Sequence, residues 1–239
     1  MKTSIASFEV QRSNERAYFD HGWLRTYHSF SFADYFDPSN VRWGALRVFN
    51  DDVIAPATGF GTHPHRDMEI LTYVFRGELE HKDSMGHVGV VRPGGVQYLS
   101  AGTGITHSEY NHSAEHELRL VQMWVMPRAS GLTPQYGQVD YTREERLGRW
   151  LPIASGQAGV EAKVAIRQDA TAYVARLEGG RLTRDVAPGR FAFLFVGEGS
   201  VVANGETLTG GDAARIVGPL ALDLSGDESE LVLWDVPAA

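Results

Sequence analysis

A chain of 239 residues is long for one compact β-domain and comfortable for two. Apolar residues at 43% and charged residues at 22% exclude a disordered or fibrous chain, and a net charge of -8 argues against direct nucleic-acid binding, which calls for a basic face. The absence of cysteine removes disulfides, thiolate zinc sites, iron–sulfur clusters and cysteine nucleophiles together, so any metal must rest on His, Asp and Glu, a donor set suited to iron, manganese, nickel, cobalt or zinc.

From Met1 to Asp20 polar and apolar residues alternate, without the apolar stretch of a secretory signal, and no later run is long enough to span a bilayer. A cytoplasmic location with no membrane partner is the expectation. Strands are predicted at Leu46–Phe49, Ile70–Phe75, Leu118–Met126, Val174–Leu177 and Phe191–Val196. These are short β-branched and aromatic runs bounded by Gly, Pro, Asp or Asn. Gly94-Gly95, Gly179-Gly180, Gly210-Gly211 and Asn204-Gly205 read as tight turns. No segment carries a long 3.6-residue apolar repeat, so the fold class is all-β.

A weak internal repeat sets the organisation. Tyr73-Val-Phe-Arg-Gly77 resembles Phe193-Leu-Phe-Val-Gly197, and each precedes a polar hairpin and a Gly-Gly turn. Two consecutive barrels explain this, with a first domain over 1–126, a polar, turn-rich connection over 127–149 and a second domain over 150–239. All nine histidines lie between His21 and His116. Overlaying Gly77 on Gly197 places His63 and His65 on Thr183 and Asp185, so the second barrel is expected to be structural and metal-free.

The chemistry concentrates in Gly59-Phe-Gly-Thr-His63-Pro-His65-Arg-Asp-Met-Glu69 and in the stretch that ends Thr-His107-Ser-Glu109-Tyr-Asn111. Histidines at i and i+2 of a strand project from one face. His107 and Glu109 repeat that geometry, so two such pairs on neighbouring strands make a site of three imidazoles and one carboxylate. Glu69 shares the parity of His63 and His65 on a regular strand and could also ligate. A bulge after the histidines would turn it away and leave Glu109 as the carboxylate, which is the favoured reading. His21 and His28 are read chiefly as structural, and His81 and His87 as solvent-facing around the turn Asp83-Ser-Met-Gly86. Trp43 and Phe49 are read as core, and Asn111 as a tie on the backbone beside the ligand strand.

The two stretches resemble the paired motifs of the cupin superfamily, with Gly77 closing the first and Gly86, Pro93, Gly95, His107 and Asn111 filling the second. His63-Pro-His65 with Ser100-Ala-Gly-Thr-Gly-Ile-Thr-His107-Ser-Glu109-Tyr-Asn111 is similar to the pirin family. The run from His21-Gly-Trp-Leu through His28-Ser-Phe-Ser-Phe32 to Asp37-Pro38 looks like its short bacterial branch, the quercetin 2,3-dioxygenase type. The likeness is dense over 10–130 and thinner over 150–239. It implies a bicupin (two jelly-roll barrels) with one divalent metal, usually iron(II), on His63, His65, His107 and Glu109. Cupins often place a glutamate with four residues between it and the second histidine, where this chain has Ile70, and that supports Glu109 as the fourth ligand.

The implied activity is cleavage of a flavonol such as quercetin with dioxygen and release of carbon monoxide, with Glu109 taking the substrate proton as well as ligating. Two alternatives stand beside it. One is a metal- or redox-sensing pirin that regulates a protein partner without turnover. The other is a cupin isomerase or hydrolase using zinc or manganese as Lewis acid. An open pocket lined by aromatic residues favours the dioxygenase, and a plugged metal site beside a large apolar patch favours the regulator.

Overall fold

The computed structural model describes residues 5–238, arranged in three sheets that are antiparallel except at one short pairing of Leu151–Ser155 with Val164–Ala165. The first barrel closes a seven-stranded sheet against a four-stranded one. From edge to edge the larger runs Gln135–Val139, Val96–Ser100, Glu69–Arg76, Leu118–Val125, Leu46–Ile54, Leu24–His28 and Ala17–Asp20. The smaller runs Gly59–His65, Ile105–Asn111, Leu79–Asp83 and Val88–Val91. The second half folds as a nine-stranded sheet built around the long strands Arg190–Ala203 and Leu220–Pro237. Among the described residues, no helix is long and apolar enough to cross a membrane.

Glu69–Arg76 shows why some strands here read as continuous apolar runs. Both of its faces are covered, so every residue but Arg76 is buried. Ile70 and Val74 point into the first barrel, whereas Leu71, Tyr73 and Phe75 join a core shared with the second barrel. In that core Phe49 lies 4.9 Å from the rings of both Phe193 and Phe195, and the Trp43 indole N–H donates to the Ala192 carbonyl at 2.9 Å. Trp43 and Phe49 are therefore packing residues, as expected. The two repeated segments meet at this interface. A Cβ on Gly197 would sit 2.2 Å from the Phe75 ring, so the close approach of the barrels requires glycine there.

Strand pairing crosses the expected domain limits twice. Ser7–Gln11 is an edge strand of the second barrel, paired with Ala213–Val217. Gln135–Val139, expected within the connection, completes the first barrel against Val96–Ser100. Neither exchange leaves a local periodicity to read. The remaining connection is anchored rather than loose. Arg143–Arg146 is a single helical turn with a capping box between Thr142 and Glu145. Arg146 then reaches the Tyr73 hydroxyl at 2.8 Å and pairs with Glu230, joining the connection to both barrels. The predicted Asn204-Gly205 turn is a two-residue hairpin joining Ala203 to Glu206, with both φ angles positive, at 48° and 88°.

Candidate metal centre

Strand alternation delivers the four sequence-predicted side chains to the interior of the first barrel. Along Ile105–Asn111 burial alternates strictly, so His107 and Glu109 point inward with Ile105 and Asn111 while Thr106 and Tyr110 face out. The neighbouring strand Gly59–His65 pairs His63 with His107, but Phe60 with Glu109, a bulge beside the site. Gly59 is needed at this point, since a Cβ there would lie 2.2 Å from the Glu109 carbonyl oxygen. Asn111 holds the strand end as anticipated, donating to the carbonyls of Ile54, Ala55 and His116 at 2.8–3.2 Å.

Ligand atoms of His63, His65 and His107 lie within 4.8 Å of one another, and their ring centroids are 4.5–4.8 Å apart. A second set within the same limit, His81, His107 and Glu109, shares His107 with the first. Glu69 is not brought in. The chain leaves the sheet after His65, passes through Asp67 in the left-handed region at φ 48°, and re-enters on the other sheet facing the second barrel. There the Glu69 carboxylate accepts from the Tyr98 hydroxyl, the Ser100 hydroxyl and the Arg167 amide at 2.6–2.9 Å. Ile70 occupies the barrel side with Leu99, Ala101 and Ile105.

His81 corrects the sequence reading. It is fully buried, not solvent-facing, and stacks on Tyr136 at 4.1 Å. Its signal was present: His81 shares parity with Leu79 on a strand whose alternate residues are buried. His87 is exposed on the ring side, bonded to Asp83 at 2.9 Å. Burial opposes ionisation of Asp83, but hydrogen bonds from His81 and from the His87 and Met85 amides overcome it and hold the carboxyl below its ordinary value. Asp83 therefore accepts from His81 Nε2 at 3.1 Å, and His81 Nδ1 faces His107 Nδ1 at 3.4 Å. That relay places the His107 proton on Nδ1 and leaves Nε2 as a lone pair; this atom is buried without any hydrogen-bond partner. His63 is fixed in the same sense by Nδ1 donating to the Gly61 carbonyl at 2.7 Å.

Burial, followed by the neighbouring imidazoles, lowers His65 and His107 to about 3, so both are neutral as metal ligation requires. Burial also pushes Glu109 upward. The amides of Gln97 and Gln122 donate to its two oxygens, Gln122 at 2.8 Å, and no Lys or Arg is among the groups acting on it. A buried carboxyl with no Lys or Arg bonded to it among the described residues, next to an unpartnered imidazole nitrogen, fits a divalent cation. Beside the cluster lies a cavity of about 270 Å³ lined by Phe32, Phe60 and Trp124 together with Thr26, His28, Asn50 and Asp52. His28 thus faces the cavity, held by burial at about 4, while His21 is exposed. Thr26, Asn50, Asp52, Gln97, Gln122 and Tyr136 carried no sequence signal, because single polar residues in apolar strands look like any interruption.

A family model described as Pirin matches residues 8–125, and one described as the quercetinase C-terminal cupin domain matches residues 152–236. A quercetin 2,3-dioxygenase of Escherichia coli K12 is 41% identical over 230 residues, covering 95% of this chain and 98% of its own length. The Pirin-like protein of Caulobacter vibrioides is 42% identical over 218 residues, covering 90% and 94%. The crystal structure of the bacterial pirin YhhW of Escherichia coli in complex with nickel(II) matches with a TM-score of 0.90 at 40% identity, covering 98% of this chain and all of that one. The two barrels are accordingly a bicupin, and the chain belongs to the pirin family.

Proposed function

We propose that this protein is a metal-dependent dioxygenase of the quercetin 2,3-dioxygenase type, with one divalent transition metal on His63, His65, His107 and Glu109. The observation that carries the reading is the cluster of three imidazoles opening on an aromatic-walled cavity of about 270 Å³. That volume is near the lower bound of about 300 Å³ typical of small-molecule sites, as suits one flat polycyclic ligand. The substrate class rests on the relatives named quercetin 2,3-dioxygenase, and the choice of a first-row divalent ion is supported by the nickel(II) complex of YhhW. Iron(II) is the proposed native ion, on family resemblance.

When bound, the metal supplies a redox-capable Lewis acid with coordination positions left for substrate and dioxygen. The protein's own groups do the rest. Trp124, Phe32 and Phe60 hold the flat ring system and exclude water. Glu109 accepts the proton of the flavonol 3-hydroxyl, with Gln97 and Gln122 fixing the position of its oxygens. Overall, one flavonol and one dioxygen give a ring-opened ester and one carbon monoxide. The open cavity favours this over a sensor with a plugged metal site.

The test is oxygen uptake and carbon monoxide release with quercetin, on protein loaded anaerobically with iron(II), and in parallel with nickel(II) or manganese(II). Equal consumption of oxygen and release of carbon monoxide is expected with at least one metal. Stoichiometric metal binding with no flavonol-dependent oxygen uptake would remove the dioxygenase reading in favour of the regulatory one.

A further inference from the structure

The cavity has a second functional wall, on the sheet facing the histidines. Thr26 and His28 lie on Leu24–His28, Asn50 and Asp52 on Leu46–Ile54, and the register pairs Thr26 with Asp52 and His28 with Asn50. All four line the cavity that holds His63, His65 and Glu109. His28 Nδ1, Asn50 Oδ1 and Asp52 Oδ1 are enclosed and have no hydrogen-bond partner, and Thr26 Oγ1 sits against the Asp52 carboxyl without closing a bond of ordinary geometry. Buried polar atoms are nearly always paired, so three unpaired atoms beside one hydroxyl on a small patch mark a place where a ligand's polar groups belong. Residues two apart on a strand are about 7 Å apart, and direct cross-strand partners about 5 Å. The patch is therefore the size of one substituted aromatic ring.

Its chemistry is polar and adaptable: the Asn50 and Asp52 oxygens accept, and the Thr26 hydroxyl and the His28 imidazole can each donate or accept, within apolar surroundings that include Leu24 and Phe32. The geometry points to a hydroxyl-recognition subsite, in which Thr26, His28, Asn50 and Asp52 bind the ring hydroxyl groups of a polyhydroxylated aromatic substrate from the wall opposite the histidines. This rests on the flavonol reading of the same cavity and adds which flavonols it selects. A flavonol bearing ring hydroxyls satisfies the wall. One lacking them leaves it unpaired, which is how a polar site rejects an apolar analogue.

The experiment is an anaerobic binding titration of the nickel(II)-loaded protein, followed by tryptophan fluorescence, with quercetin and with 3-hydroxyflavone. The second ligand keeps the metal-binding 3-hydroxyl and 4-oxo groups but has no other hydroxyl. Asn50→Ala and Asp52→Ala should each weaken quercetin about tenfold or more and leave 3-hydroxyflavone within about threefold. Thr26→Val, which keeps the side-chain shape, should show the same selective loss to a smaller extent, and it carries the comparison if the alanine variants do not fold. Equal weakening of both ligands, or no change in either (a wall that holds water only), overturns the subsite. If the unaltered protein binds neither flavonol, the dioxygenase reading fails separately. Resorcinol then tests the wall alone: binding abolished by Asp52→Ala upholds it, and absent or unaffected binding overturns it.

Discussion

Glu69 and Glu109 are both buried carboxyls close in sequence to a histidine of the cluster, yet their surroundings differ. Glu69 braces the two barrels through Tyr98, Ser100 and the Arg167 amide, whereas Glu109 faces imidazoles and amide donors. Parity along the chain left both open as ligands, and the left-handed Asp67 between the two strands carries Glu69 away from the imidazoles. Glu109→Gln keeps an oxygen donor but loses charge and basicity, so partial metal occupancy and a fall in turnover of about 100-fold or more are expected. Glu69→Gln should leave metal content unchanged and cost about 1–3 kcal/mol of stability. Metal analysis, initial rates and denaturant unfolding check both, and the reverse pattern would reassign the ligand.

A second residue-scale prediction concerns pH. Burial foremost, with repulsion from Asp51 and Glu109, pushes Asp52 up to about 7 from an ordinary 3.8. The folded metal-free protein therefore binds more protons than the unfolded chain between those values, and this group's contribution falls as pH rises from about 4 to about 7. Asp52→Asn removes that dependence. The metal-free variant should melt above the metal-free parent at pH 8, with the gap closing by pH 4. An equal or lower melting temperature at pH 8 contradicts the assignment.

At the scale of strands, the His-x-His and His-x-Glu pairs were legible because a period of two is a local property that survives folding. His81 was misread because the neighbouring Asp83 turn drew it toward solvent, although its parity with Leu79 placed it inside. Its position between Asp83 and His107 gives it a tautomer-fixing role. His81→Phe preserves a ring against Tyr136 and removes the acceptor for His107, so metal affinity should drop about 10–100-fold with little loss of thermal stability. Competition with a chelator measures this, and unchanged affinity would remove His81 from the site.

For the molecule as a whole, the repeat around Tyr73 and Phe193 announced two barrels, and histidine is confined to the first half of the chain. The exchanged edge strands were invisible, because pairing of Ser7–Gln11 with Ala213–Val217 depends on contacts about two hundred residues apart. Phe49, Phe193 and Trp234 belong to one core shared by the two barrels, which couples their unfolding. Phe193→Ala should therefore lower stability by about 3–5 kcal/mol in a single calorimetric transition; two separated transitions would show that the barrels melt independently.

The central claim is one metal, in the first barrel, on three imidazoles and Glu109. An anomalous-difference map from crystals of the metal-loaded protein tests it most directly. One peak per chain is expected, about 2.0–2.2 Å from nitrogens of His63, His65 and His107 and an oxygen of Glu109. A peak held by His81 in place of His63 and His65, or any peak within the second barrel, would contradict it.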